Sequence, residues 1–189
     1  MATSPELDLC VLFVESLLDP VTGLVAVCEG EDGTSVYHNA LAVLAFAHEG
    51  RRAAAEGVLD CFDRNLRASR DQFQGFPHLW NVRTGLPNGG SVPWEGDAAH
   101  LLLALDYYQQ IFGERTKYRV LKDGLVALLS QRAALCELVV AEGVAAMYAA
   151  MMPYTRTRIL SRLRQCFFNC EYISGADCKH NLLHVILAA

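Results

Sequence analysis

The chain has 189 residues, of which 52% are hydrophobic and 20% are charged, and its formal net charge at pH 7 is −5. This apolar content excludes a largely disordered chain, and the acidic balance argues against non-specific nucleic-acid binding, which needs a basic surface. No apolar run reaches the roughly 20 residues of a membrane-spanning helix, and the N-terminus lacks the basic region of a signal peptide. We therefore expect a soluble, cytoplasmic protein that binds neither nucleic acid nor membrane.

The first predicted elements are two helices separated by a loop. Ser4-Pro5 is typical of a helix start, with serine as the N-cap and proline in the first turn, and this helix is predicted to end before Pro20. Residues 20–37 are too rich in glycine and acidic residues to form a helix, although 24–27 are apolar enough for a short extended piece. A short helix is predicted over 38–48.

The next predicted helix carries its apolar residues on one face. Residues 52–67 show the helical spacing at Ala55, Val58, Leu59, Phe62 and Leu66. Residues 68–95 form a connection so long that a function is expected in it, and both tryptophans, Trp80 and Trp94, lie there. Strand-like alternation is almost absent, so the chain reads as all-α. Further helices are predicted over 96–112, 115–131, 133–151 and 154–168.

Two loops of the chain open with the same three residues. Thr22-Gly23-Leu24 and Thr84-Gly85-Leu86 lie 62 residues apart, and an apolar helical stretch follows each loop. This period suits a helix hairpin that carries one long functional loop. No third copy occurs after residue 131. We therefore predict a helical-hairpin domain over 1–131 and a diverged helical segment over 132–189 that packs on it.

The cysteines and glycines point to no cofactor. Seven cysteines without a secretion signal favour free thiols in a helical core rather than a disulfide framework. Gly89-Gly90 lacks the lysine of a phosphate-binding loop. A group near the C-terminus has the right residue types for a metal, but its spacing fits no paired Cys-x2-Cys site: Cys166, Cys170, Cys178 and His180. We expect neither a metal nor another cofactor.

The loop and helix start around Gly30-Glu31-Asp32-Gly33 and Tyr37-His38-Asn39-Ala40-Leu41-Ala42 resemble the hairpins of six-hairpin glycosidase-like proteins, the (α/α) toroids. Trp94-Glu95-Gly96-Asp97 looks like the start of a later inner helix of that family. The resemblance covers about residues 20–131. It implies helical hairpins of the toroid type, whose inner helices converge on a loop-lined cleft that binds sugars.

Two departures from the family pattern affect this interpretation. Many relatives carry an acidic residue just after the aromatic, where this chain has His38-Asn39. A complete toroid also contains more helices than this chain has room for. The resemblance therefore implies an incomplete or truncated toroid, or one that a homo-oligomer or a partner chain completes.

Glycoside hydrolysis needs two carboxyl groups, one acting as acid and one as base or nucleophile. Glu95 is the predicted acid, because Trp94 beside it would exclude water and favour the protonated form. Asp97 or Asp32 is the predicted partner. Each has a simpler interpretation, since Asp97 suits a helix N-terminus and Asp32 suits a solvated loop.

The predicted substrate-binding residues are aromatic side chains and histidines. Trp80 and Trp94 are candidates for stacking on sugar rings, or else they cover the top of the core. His78 and His100 are candidates for orienting a substrate hydroxyl, or else they are hydrogen-bonded core histidines. The resemblance adds two neighbours to this cleft, Tyr37 and His38.

We therefore expect a carbohydrate-active, glycoside hydrolase-like domain that acts on or binds a poly- or oligosaccharide. The alternative is a non-catalytic helical-hairpin module that binds a protein or glycan partner. A toroid of the terpenoid-cyclase type ranks last, because the chain has no Asp-x-Asp-Asp motif. Carboxylates that face each other across a groove would favour the hydrolase, and carboxylates that diverge would favour the binding module.

Overall fold

The computed structural model describes residues 5–135, 149–151 and 153–154. This part of the chain is mainly helical and contains α1 (Pro5–Ser16), α2 (Val36–His48), α3 (Arg52–Ala68), α4 (Glu95–Phe112) and α5 (Arg119–Leu135). Three short strands form a small sheet: β1 (Gly33–Ser35), β2 (Leu79–Asn81) and β3 (Leu86–Pro87). None of the helices in these ranges is long and apolar enough to cross a membrane.

Most of the predicted helix boundaries agree with the structure to within a few residues. The first helix ends at Ser16 rather than Asp19, because the Asp19 carboxylate accepts hydrogen bonds from the turn that follows. Helix α5 begins at Arg119 and continues to Leu135, without the break predicted at residue 132. Residues 155–168 of the last predicted helix and the Cys166 group lie outside the described residues, as does most of the 132–189 segment.

The small antiparallel sheet was not predicted, and it joins the two long loops. Its strand order is β1-β2-β3, with Ser35 opposite Leu79 at one end of β1. Beyond that end, the N–H of Val36 donates to the carbonyl of His78 at 3.1 Å, and the N–H of His78 donates to the carbonyl of Val92 at 2.9 Å. The start of α2 is thereby fixed beside the residues that precede β2 and α4.

Helices α2 and α4 make the most extensive helix–helix contact in the described part of the chain. Helix α2 follows β1 directly, α3 packs mainly against α2, and α5 packs against α4 and α3. Their contact surfaces form an apolar core whose largest fully buried side chains include Phe46, Phe62, Leu101, Leu105, Tyr108, Tyr118 and Leu121. The core therefore supports the N-terminal ends of both helices at the same edge of the molecule.

Asn39 is a buried polar residue whose side chain links α2, β1 and the first loop by hydrogen bonds. Its Nδ2 donates to Thr34 Oγ1 at 2.8 Å and to the Ser35 carbonyl at 2.9 Å, and its Oδ1 accepts from the N–H of Val25 at 2.9 Å. An amide suits this position because it must both donate and accept. Asn39 therefore holds the first loop in place and, being fully buried, offers no surface to a ligand.

The two Thr-Gly-Leu turns have the same hydrogen-bond pattern. Thr22 and Thr84 each donate their N–H to a side-chain oxygen three residues earlier, on Asp19 (2.8 Å) and Asn81 (2.9 Å) respectively. In both copies the glycine N–H donates to the carbonyl of that same residue, and the leucine N–H donates to the threonine Oγ1. The repeat is therefore Asx-x-x-Thr-Gly-Leu, three residues longer than the sequence comparison indicated.

The two turns also contact each other and the helix between them. Thr22 Oγ1 donates to the carbonyl of Val82 at 2.6 Å. Gly23, at φ +80°, lies so close to α3 that an added Cβ would be 2.2 Å from the carbonyl oxygen of Gly57. The first turn is therefore locked between the second turn and α3, and it fixes where the first loop leaves α1.

Candidate functional site

The predicted site residues that come together lie at the N-terminal ends of α2 and α4, and we call this group the histidine cluster. It comprises Tyr37, His38, His78, Trp94, Asp97 and His100. Two of them lie in the first turn of α2, two lie in the first two turns of α4, His78 directly precedes β2, and Trp94 directly precedes α4. The residues come from three separate parts of the sequence, and the sheet brings them together.

Asp97 is the buried centre of this cluster. It is 4% exposed, and its Oδ2 lies 2.7 Å from Nδ1 of His78. Burial raises the pKa of Asp97, and the hydrogen bond from His78 and the nearby His100 and His38 oppose that rise. An ionised carboxylate only accepts hydrogen bonds, so Nδ1 of His78 carries a proton, and in the neutral imidazole Nε2 is left with a lone pair.

His78 also stacks on Trp94. Their ring centroids are 4.2 Å apart and their planes differ by 16°. The indole remains 54% exposed, so one of its faces covers the imidazole while much of its surface stays open to solvent. An exposed aromatic face beside a polar group is a common way to bind the C–H face of a sugar ring.

The other two histidines flank Tyr37. The centroid of the Tyr37 ring lies 4.8 Å from that of His100 and 5.9 Å from that of His38, and both contacts are edge-to-face. His100 Nδ1 is 2.7 Å from the carbonyl of Gly96, and His38 Nδ1 is 2.8 Å from the hydroxyl of Ser35. Each of the three imidazoles therefore has its Nδ1 fixed by a neighbour.

Glu95 faces away from this cluster. Its Oε1 lies 3.5 Å from Nε of Arg132 in α5, so Glu95 and Asp97 contact different neighbours. Two residues that are two positions apart on a helix lie about 200° apart around its axis, which explains the divergence. The Glu95 carboxylate is engaged by Arg132 and not by a residue of the cluster, so this arrangement lends no support to its predicted acid role.

Asp32 lies at the opposite end of β1 from the cluster. It pairs with Arg83, and its side chain is 47% exposed. The three extended residues of β1 lie between Asp32 and Val36 at the start of α2, a backbone distance of about 13 Å over four residue steps. Asp32 therefore takes the predicted alternative of a solvated loop acid, and the structure does not place it opposite Asp97.

Trp80 belongs to the core and offers no surface to a ligand. It is 1% exposed and makes edge-to-face contacts with Phe62 and Phe76, and its Nε1 donates to the carbonyl of Pro77 at 2.6 Å. Of the two predicted alternatives, Trp80 therefore takes the core position and does not stack on a sugar, because strand β2 turns its side chain inward. Trp94 alone of the two is exposed.

A separate cavity of about 240 Å³ lies beside the acidic first loop, and its lining contains no residue of the histidine cluster. It is bordered by charged residues that include Asp19, Glu29, Glu31, Asp32 and Arg83.

Within residues 5–135, 149–151 and 153–154, no three His, Cys, Asp or Glu side chains are arranged to hold a metal ion.

Ser35 and Arg132 are site-related residues that the sequence analysis did not select. Ser35 is the N-cap of α2, and its side chain accepts the N–H of His38. A serine three residues before His38 is a recognisable cap signal, but the predicted helix began two residues too late to reveal it. The contact of Arg132 with Glu95 has no local signal, because 37 residues separate the two in sequence.

No protein-family model, curated protein or solved structure matches this chain. The resemblance to toroid hairpins therefore stays a prediction based on short motifs. A fold alone does not define an activity, so the histidine cluster is the feature of this chain that bears on its function.

Proposed function

We propose that this chain is a carbohydrate-active domain of (α/α)-toroid type, which binds a saccharide at the histidine cluster and acts on it by proton transfer through His78. The observation that carries the proposal is the arrangement around His78, which a buried Asp97 holds at 2.7 Å and an exposed Trp94 covers at 4.2 Å. This places a basic nitrogen beside a surface suited to a sugar ring.

The Asp97–His78 pair has the features of a general acid–base group. A carboxylate bonded to Nδ1 fixes the tautomer and orientation of the ring and stabilises the imidazolium that forms when Nε2 takes a proton. Within the described residues no side chain or backbone group is hydrogen-bonded to Nε2 of His78. This nitrogen is therefore available to a ligand hydroxyl or C–H acid.

A two-carboxylate hydrolase is a weaker form of the proposal. The geometry it requires is a pair of carboxyl groups about 5–10 Å apart on either side of a bond. Glu95 and Asp97 contact different neighbours, Arg132 and His78, and Asp32 lies about 13 Å of backbone from α2. If the domain is catalytic, we expect the chemistry to centre on His78 and Asp97.

The alternative is a non-catalytic module that binds a glycan or protein partner. The divergence of Glu95 from Asp97 favours it, and the exposed face of Trp94 is sufficient for binding without chemistry. In either form, the cleft of a toroid would be completed by further helices, which a second copy or a partner chain would supply.

The first test is a binding titration with gluco-, manno-, xylo- and chito-oligosaccharides. We expect Trp94→Ala to weaken binding about tenfold, because it removes the stacking surface. Leu86→Ala is the matched control, since Leu86 is 56% exposed on β3 and belongs to neither the cluster nor the core. If no saccharide binds, or if the Trp94 variant binds like the wild type, the proposal fails.

A second measurement separates catalysis from binding. The wild type and His78→Asn are incubated with each saccharide that binds, and the products are analysed by NMR. Turnover that falls at least a hundredfold in the variant, at similar affinity, is the result expected for a general acid–base residue. Binding without turnover in the wild type would favour the non-catalytic module.

A further inference from the structure

We propose that Ser35 is a positioning residue that holds His38 as a hydrogen-bond donor, and that the cluster thereby presents one donor and two acceptor imidazoles, which match a neutral saccharide rather than an acidic one. The ligand class rests on the proposed function. The positions of the protons do not, because they follow from the hydrogen-bond partners within the protein.

The Ser35 hydroxyl decides the tautomer of His38. Ser35 is 2% exposed, and its Oγ already accepts the N–H of His38 at 3.1 Å as the N-cap of α2. Within the described part of the chain, the acceptor within reach of the hydroxyl proton is Nδ1 of His38, at 2.8 Å. A buried donor left without an acceptor costs free energy, so Ser35 donates to Nδ1 and the proton of His38 sits on Nε2.

The other two histidines have the opposite polarity. The carbonyl of Gly96 and the ionised carboxylate of Asp97 can only accept. His100 and His78 therefore carry their protons on Nδ1 and expose a lone pair on Nε2. His38 is the single donor of the three.

This pattern discriminates between classes of ligand. A sugar hydroxyl both donates and accepts, so neighbouring hydroxyls can satisfy His38 and His78 together. A carboxylate, sulfate or phosphate only accepts, and it would face two lone pairs beside the buried charge of Asp97. While its three imidazoles are neutral, the cluster should therefore prefer neutral saccharides to uronates or sugar phosphates.

The proton positions can be measured directly by ¹⁵N NMR of the imidazole rings, at an alkaline pH at which the spectra show all three rings to be neutral. We expect Nε2–H for His38 and Nδ1–H for His78 and His100 in the unmodified chain. Nδ1–H at His38, or Nε2–H at either of the others, overturns the proposal without any variant.

Two Ser35 variants separate positioning from simple helix capping. Ser35→Thr keeps the hydroxyl, and the tautomer of His38 should not change. Ser35→Asp keeps an N-cap acceptor, but a carboxylate cannot donate, so His38 should switch to Nδ1–H. A purely structural cap would leave the tautomer unchanged in both variants, and that result would overturn the role of Ser35.

The ligand preference is then measured with neutral gluco-oligosaccharides and with oligogalacturonates at the same pH. We expect the neutral series to bind at least about tenfold more tightly, and Ser35→Asp but not Ser35→Thr to lose about tenfold. Tighter binding of the uronates would overturn the ligand preference while leaving saccharide binding intact. If neither series binds, the proposed function fails along with the ligand preference, whereas the NMR result still judges the role of Ser35.

Discussion

At the scale of single residues, the structure separates side chains that look alike in the sequence. Trp80 and Trp94 both lie in the long connection, yet one is 1% exposed and the other 54%. The difference arises from strand β2, whose register with β1 turns Trp80 toward Phe62. A sequence can show that two tryptophans lie in a loop, but strand pairing between distant segments decides which of them points inward.

The surroundings of Asp97 and Glu95 also depend on contacts between distant segments of the chain. Asp97 was a predicted site residue, but its bond to His78 spans 19 residues and depends on the sheet. Glu95 was the preferred acid on the basis of its neighbours in sequence. Its actual environment comes from Arg132 on another helix, which the local sequence cannot reveal.

Asp97 should give the folding stability a measurable pH dependence. Burial raises its pKa above the unfolded value of about 3.8, so the folded state binds this proton more tightly than the unfolded state does. The resulting stabilisation is fully present below pH 3.8 and is lost as pH rises through the folded pKa. Asn cannot titrate, so Asp97→Asn should gain stability relative to the wild type as the pH rises from about 3.8 through the folded-state pKa of Asp97.

Urea unfolding of both proteins across this range measures that difference. Asp123→Asn is the control, because the Asp123 side chain is 72% exposed and its substitution should change little at any pH. If the difference in free energy of unfolding between Asp97→Asn and the wild type does not change with pH, then burial does not raise the pKa of Asp97.

At the scale of elements, the sequence predicted helices well and strands poorly. Helices over 38–48, 52–67 and 96–112 were found within two residues of their predicted bounds, since their apolar periodicity and end signals are local. The strands have two or three residues each, which is too short for alternation to be recognised. The partner of β1 lies more than 40 residues away, so nothing local marks that pairing.

Gly23 of the first turn should tolerate substitution far less than Gly30, a glycine with a similar backbone conformation. Gly23 and Gly30 have nearly the same φ, +80° and +82°, but a Cβ on Gly23 would strike the backbone of Gly57 whereas one on Gly30 meets nothing within 4 Å. We expect Gly30→Ala to cost about 1–2 kcal/mol for its backbone conformation alone. Gly23→Ala should lose more than about 3 kcal/mol.

Equilibrium urea denaturation of the two alanine variants gives both free energies of unfolding. The difference between them isolates the contact of the turn with α3, because the backbone penalty is common to both. Equal losses would mean that α3 moves away from the turn at little cost.

At the scale of the whole molecule, the repeat that the sequence revealed is an arrangement of two equivalent turns on adjacent helical hairpins. The repeated residues predicted the hairpins, but they did not show that the first turn contacts the second. That contact depends on Thr22 and Val82, which are 60 residues apart. Whether further hairpins close the arrangement into a toroid stays a prediction, because this stretch of chain contains only two copies of the turn.

The contact between the turns predicts that one substitution will have unequal effects in the two copies. Thr22 is 6% exposed and donates to the carbonyl of Val82 at 2.6 Å, so Thr22→Val leaves a buried carbonyl without this donor. We expect a loss of about 1–3 kcal/mol in the free energy of unfolding. The hydroxyl of Thr84 is exposed and only accepts from Leu86 at 3.4 Å, so Thr84→Val should cost less than about 0.5 kcal/mol.

The measurement is urea unfolding of both valine variants beside Thr22→Ser, which retains the hydroxyl and should recover most of the stability lost in Thr22→Val. The comparison is internal, because both threonines occupy the same position of the same hydrogen-bonded turn. Equal losses in the two copies would mean that each turn stabilises only its own hairpin. A loss confined to Thr22 would mean that the contact between the two turns stabilises the pair of hairpins beyond what each turn contributes alone.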